Sequence, residues 1–142
     1  MADRVLVPVD GSEQSDRACE LVFEEFREAT LVLLHVINPV EAGYTGKVSL
    51  PSASEEWYEQ QRERATEYID DIEEHAADYG IETDRAVEVG KPTRTIVEFA
   101  ADNDIDHIVM GSHGREGVSR ILLGSVAETI VRRSPVPVTV VR

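Results

Sequence analysis

Residues 105–125 read IDHIVMGSHGREGVSRILLGS, a short apolar run followed at once by four glycines and three serines within the fifteen positions 111–125. Ile105 to Met110 has the length and apolar content of a buried strand. Gly111 and Gly114 carry no side chain, so their backbone can take positive φ and let N–H groups approach an anion closely. Ser125-Val126-Ala127-Glu128 has the form of a capping box, which predicts a helix starting at Ser125 with Val126, Ile130 and Val131 turned inward. Such a start carries roughly half a positive charge and unpaired N–H donors. Gly124 removes any Cβ from the approach to it. A strand, a glycine-bearing loop and a capped helix in that order suit an α/β sheet whose loop holds an anion, with Arg115 or Arg120 at hand.

The flanking sequence repeats the alternation. Arg4 to Asp10 (RVLVPVD) is an apolar run ended by Gly11-Ser12, and reads as a strand followed by a turn. Ala18, Leu21, Val22 and Phe26 then fall at helical spacing, with Ser12 and Ser15 as candidate caps. Thr30 to Ile37 (TLVLLHVI) is continuously apolar and stops at Asn38-Pro39, as a second buried strand would. Residues 38–51 lack periodicity and predict a long loop, whose tip is a candidate lid or partner surface. Trp57, Gln61, Ala65, Tyr68, Ile69, Ile72, Ala76 and Tyr79 form one side of a long helix over 52–79, closed by Gly80. Residues 83–89 (TDRAVEV) follow as a third strand, polar enough for a sheet edge. Pro92 suits a first helical position, with Ile96, Val97, Ala100 and Ala101 as the buried stripe. After the helix that ends near Arg133, residues 135–141 (PVPVTVV) supply a fifth strand. Strands alternating with helices call for a mainly parallel sheet covered on both faces, and 142 residues suit one domain spanning 1–142.

Composition narrows the function. Twenty-eight acidic against 14 basic residues give a formal charge of −14, which disfavours nonspecific binding to nucleic acid or to an anionic membrane. At ~1 M salt the Debye length is about 3 Å, so a surface this acidic suits a salt-adapted, halophilic host. No apolar run approaches the ~20 residues of a membrane span, and the first residues lack the pattern of a signal peptide, so a cytoplasmic protein is expected. Cys19 is the single cysteine and sits among apolar neighbours, as a buried filler does. The four histidines are scattered and predict no metal site. His35, inside an apolar strand, reads as a hydrogen-bonded structural residue. His113 reads as facing solvent in preference to contacting phosphate.

In a parallel sheet of this kind, ligands bind beyond the carboxyl ends of the strands. Asp10, the Val36-Ile37 pair and Met110-Gly111 close three strands whose loops can converge. At these positions the spacing Gly111-x2-Gly114-x9-Gly124-Ser125 resembles the nucleotide-binding signature of the universal stress protein family. VLVPVDGSEQS, LVLLHVI, DHIVMGSHG and SPVPVTVVR extend the resemblance over the whole chain in order. It implies ATP binding in a doubly wound domain of strand order 3-2-1-4-5, with or without Mg²⁺. Carried over residue by residue, it places Asp10 near the adenine or ribose, Val36 in the adenine pocket and Met110 and Gly111 beside the ribose. Gly114, Gly124, Ser125 and Val126 would surround the phosphates. Asp10 also has a plainer role, an Asx-type bond to Ser12.

The resemblance further implies a homodimer paired through the C-terminal strand, Val136 to Val141, which the expected order leaves at an apolar edge. Pro137 can instead blunt that edge. The function expected is that of an ATP-binding stress-response switch or sensor. The competing reading is an ATP-hydrolysing or nucleotidyl-transferring enzyme of a related fold. Hydrolysis needs a positioned water and a base, and Asp10, Glu116 and Glu128 are the acids available; no P-loop lysine motif is present.

Overall fold

The computed structural model describes residues 3–40, 51–113 and 123–142, the side chains of 51–54 excepted. In chain order the elements are β1 (Arg4–Pro8), α1 (Glu13–Glu25), β2 (Thr30–Ile37), α2 (Pro51–Asp78), β3 (Thr83–Val89), α3 (Pro92–Asp102), β4 (His107–Gly111), α4 (Ser125–Arg133) and β5 (Val138–Val141). The five strands pair in parallel in the order β3-β2-β1-β4-β5. The expected fold class and strand order are therefore observed. The loop expected over 38–51 falls mostly at residues 41–50, outside the described residues.

Alternating side chains of the central strands feed two cores. Val5, Val7, Leu31, Leu33 and Val109 face Ala18, Cys19, Val22 and Phe23 of α1 and Ala65, Ile69, Ile72 and Ala76 of α2. Leu6, Val32, Leu34, Ile108 and Met110 face Ile96 and Ala100 of α3 and Ala127 and Ile130 of α4. Both faces of β1 and β2 are covered, which is why those strands are nearly unbroken apolar runs. The outermost strand β3, with Asp84, Arg85, Glu88 and Val89 exposed, is polar as an edge should be.

Several boundaries differ from the sequence reading for identifiable reasons. β5 begins at Val138 rather than Pro135, because Pro135 and Pro137 have no N–H; Pro137 contributes only its carbonyl, which accepts from Ile108 N at 2.9 Å. Tyr79 lies beyond α2 and is 45% exposed, stacked on Phe23 at a centroid distance of 5.0 Å. Val131 is 47% exposed instead of facing inward, and Ala127 takes its place beside Ile130. Ser12 caps α1 by accepting from Ser15 N at 3.1 Å, as its position suggested. Cys19 is buried, and burial holds its thiol well above the usual range, with Asp16 and Glu20 adding to the effect.

Candidate functional site

The connections leaving β1 and β4 run to opposite faces of the sheet, since α1 packs with the first core and α4 with the second. The carboxyl ends of these adjacent strands therefore part around a cleft, the usual place for a ligand in a doubly wound sheet. Its volume is about 850 Å³, and Asp10, Ser12, His35, Val36, Met110, His113 and the first residues of α4 are among its walls. Of the eight residues singled out in the sequence, Asp10, Val36, Met110, Gly111, Gly124, Ser125 and Val126 all line this cleft. Gly114 lies outside the described residues, as do Arg115, Glu116, Ser119 and Arg120.

On the β1 side the chain turns sharply. Asp10 Oδ1 accepts from Ser12 N at 2.9 Å, so the Asx bond is present, and Gly11 takes φ +80 between them. A Cβ on Gly11 would sit 2.9 Å from Cε1 of Tyr68, so both the conformation and the α2 side chain require glycine there. His35 is buried with Nδ1 2.7 Å from the Val9 carbonyl, and its ring meets Tyr68 edge-on. It is the hydrogen-bonded structural residue expected. Val36 and Met110 contribute apolar wall while packing into the second core.

The glycines of the opening stretch have reasons different from those first assigned. Gly111 does not adopt positive φ; it closes β4, and a Cβ there would lie 2.7 Å from Gln14 Cβ. Its role is to let the first turn of α1 come close to the strand end. Gly124, not Ser125, is the N-cap of α4: its carbonyl accepts from Glu128 N at 3.0 Å, and as a glycine it offers no capping side chain. The capping-box reading is thereby corrected, and Glu128 is turned toward Arg132 at 3.1 Å. A capping box needs the residue before Ser125 to stand outside the helical hydrogen bonds, whereas Gly124 itself enters them. Gly124 N also donates to the Ser112 carbonyl at 2.8 Å, and a Cβ on Gly124 would lie 2.9 Å from that oxygen. The start of α4 is thus stitched to the end of β4, with the first-turn N–H groups of Ser125, Val126 and Ala127 at the cleft and, among the described residues, without a capping side chain.

A residue absent from the sequence reading joins the two sides. Gln14 Oε1 accepts from the backbone N–H of His113 at 2.5 Å and from Ser112 Oγ at 3.1 Å. Its position one turn beyond the β1 terminus, in DGSEQS, was the available signal: a long amide at a sheet's carboxyl end can reach the neighbouring strand. His113 corrects an expectation, because it is only 6% exposed and does not face solvent. Ser112 is buried beside it. His107 Nε2 pairs with Thr139 Oγ1 at 2.7 Å, joining the two outermost strands on that side, and burial lowers its pKa. His75 meets the Asp71 carbonyl at 2.9 Å. Among the described residues no cluster of histidines, cysteines and carboxylates has the makings of a metal site.

Comparison with known proteins accords with the fold. The model of the universal stress protein family matches residues 1–142. Universal stress protein MJ0577 of Methanocaldococcus jannaschii is 32% identical, with 100% of this chain and 96% of that protein aligned. The solved MJ0577 structure superposes with a TM-score of 0.86 over 98% of this chain and 94% of its own. Universal stress protein YxiE of Bacillus subtilis is 28% identical with both chains fully covered. A family protein from Arabidopsis thaliana, solved with AMP bound, shares the fold at a TM-score of 0.71 and 18% identity, covering 98% and 90% of the two chains.

Proposed function

The chain belongs to the universal stress protein family, and from that premise we propose that it binds an adenine nucleotide, ATP foremost, in the cleft between β1 and β4. The observation that carries this reading is the start of α4: an uncapped helix N-terminus behind a glycine, opening on a cleft of ligand size. Val36 and Met110 offer apolar wall for a base, Asp10 and Ser12 polar groups for a sugar, and Gly124, Ser125 and Val126 backbone donors for phosphates. That the related fold in Arabidopsis was solved with AMP supports the choice of ligand.

Binding alone needs no catalytic base, and we assign the chain to nucleotide-dependent switching in a stress response, working as a homodimer paired through the β5 edge. If Mg²⁺ accompanies ATP, its ligands are phosphate oxygens and water, with Asp10 the one carboxylate on the described wall.

The test is to purify the protein in molar KCl, denature it and identify released nucleotide by mass spectrometry, then titrate ATP and adenosine into the stripped protein. Gly124→Val is a poor comparison, because its side chain would collide with the Ser112 carbonyl that Gly124 bonds. Ser125→Asp is better. A carboxylate in the first turn favours the helix by about 0.3–1 kcal/mol but repels phosphate. Ser125→Asp should weaken ATP and leave adenosine binding unchanged; equal ATP binding by both proteins would overturn the placement of phosphates at α4.

A further inference from the structure

Beside the start of α4 stands a buried ring nitrogen with no partner among the described residues. His113 is 6% exposed and lines the cleft, and its Nε2 is buried without a hydrogen bond among the described residues. The ring edge that carries Nε2 faces Gly124, whose Cβ position would be 3.4 Å from His113 Cδ2. A buried polar atom left unsatisfied costs free energy and wants a reason.

One tautomer satisfies all the hydrogen bonds around it. A backbone N–H can bond only an oxygen, so the His113 N–H at 2.5 Å identifies the Gln14 acceptor as its amide oxygen. That oxygen has no proton, so Ser112 Oγ, 3.1 Å away, gives its single proton to Gln14. Ser112 Oγ can then only accept from His113 Nδ1, also at 3.1 Å, which therefore carries the ring proton. In that tautomer Nε2 is a bare lone pair, on a ring that borders the start of α4. A lone pair repels a phosphate oxygen; a protonated Nε2 binds one with a charge-assisted hydrogen bond.

We propose that His113 is a proton-coupled phosphate ligand. When a phosphate-bearing nucleotide enters, Nε2 takes one proton from solvent, and the resulting N–H donates to a phosphate oxygen while Nδ1–H stays on Ser112. No bond other than the new N–H forms, and the phosphate keeps its charge. The inference rests on the nucleotide reading above and adds to it that binding consumes a proton. Of the other groups around the ring, Gln14 and Ser15 of α1 and Ser125 of α4 do not titrate. Asp10 at the end of β1 and His35 of β2 are the other titratable groups on the cleft wall, and Glu128 of α4 is paired with Arg132.

The experiment is calorimetric titration of ATP and of adenosine in molar KCl, in two buffers of different ionisation enthalpy. At about pH 8 ordinary imidazoles and nucleotide phosphates are both largely deprotonated. Wild type should take up a proton approaching one per ATP and none per adenosine, with ATP affinity falling up to tenfold per pH unit as pH rises. His113→Gln should take up none, bind ATP roughly tenfold more weakly and bind adenosine as before. In wild type the ¹⁵N signal of His113 Nε2 should move to the protonated position on adding ATP, a readout independent of how the variant folds. ATP binding with the same proton count in both proteins, or with Nε2 unprotonated, overturns the proposal and leaves the nucleotide reading standing. Failure of every nucleotide to bind overturns both.

Discussion

Gln14→Met keeps the length and helix propensity of the side chain and deletes its acceptor. Two donors then lose their partner, the His113 backbone N–H and the Ser112 hydroxyl, on residues only 6% and 4% exposed. An orphaned buried donor costs about 1–3 kcal/mol. The hydroxyl can recover part of that by donating to His113 Nδ1 once the ring proton moves to Nε2, while the N–H cannot move. The expected loss is thus about 2–3 kcal/mol, or roughly 6–12 °C in Tm for a domain of this size. Urea titration in constant KCl should show a lower midpoint at unchanged slope. Gln14→Glu is the control: its carboxylate accepts from both donors and stands in the first turn of α1, where negative charge is favoured, so it should stay within about 0.5 kcal/mol of wild type. Wild-type stability in Gln14→Met, or equal loss in both variants, would refute the claim that Gln14 ties α1 to the end of β4.

Gly111→Ala should destabilise by about 1–3 kcal/mol in the same assay, since its Cβ would be 2.7 Å from Gln14 Cβ. Gly80→Ala, at φ +72 with open space around it, should lose only about 1–2 kcal/mol from backbone strain. Burial lowers the pKa of His107, so the unfolded chain binds its proton more readily than the folded one. Stability from this group is fully present above the ordinary histidine value of about 6.5 and declines as pH falls through it toward the folded value. Thermal scans across that window should show the decline in wild type and a flatter profile in His107→Gln. With a formal charge of −14, the unfolding midpoint should rise with KCl from low to molar concentration; a flat response would dispose of salt adaptation. Affinity for ATP should rise with KCl at low concentration, as screening removes the repulsion of the net −14, and level off toward molar salt, as fluorescence titration can measure.

The parallel sheet was legible because β1, β2 and β4 are buried on both faces and so appear as apolar runs. The polar TDRAVEV announced its edge position in the same way. Helix periodicity was less reliable near the ends of elements: Tyr79 and Val131 fit an inward stripe, yet the first falls after α2 ends and the second turns outward once Gly124 sets the phase of α4. The site's outline was readable from glycines and strand ends. Its internal wiring was not, because a hydrogen bond between Gln14 and residues 112–113 spans nearly a hundred positions and leaves no periodic trace. The same holds for Gly111. A sequence marks it as a glycine, but only the approach of α1 shows that packing, rather than positive φ, demands it.

An acidic protein that holds an anion must attract it locally without making its surface basic. Among the described residues lining the cleft there is no lysine or arginine, and Asp10 adds a negative charge. Several of the described arginines are engaged elsewhere: Arg4 on Asp84, Arg85 between Asp70 and Glu73, Arg132 on Glu128, Arg27 over Tyr79. Among the described residues, what remains for a phosphate is the start of α4 with its N–H groups, and the neighbouring His113. Both act over a hydrogen-bond length, where salt screens little, whereas the net −14 acts over distances at which molar salt screens almost completely. The two scales separate, so the surface can be tuned for solubility in brine without weakening the cleft.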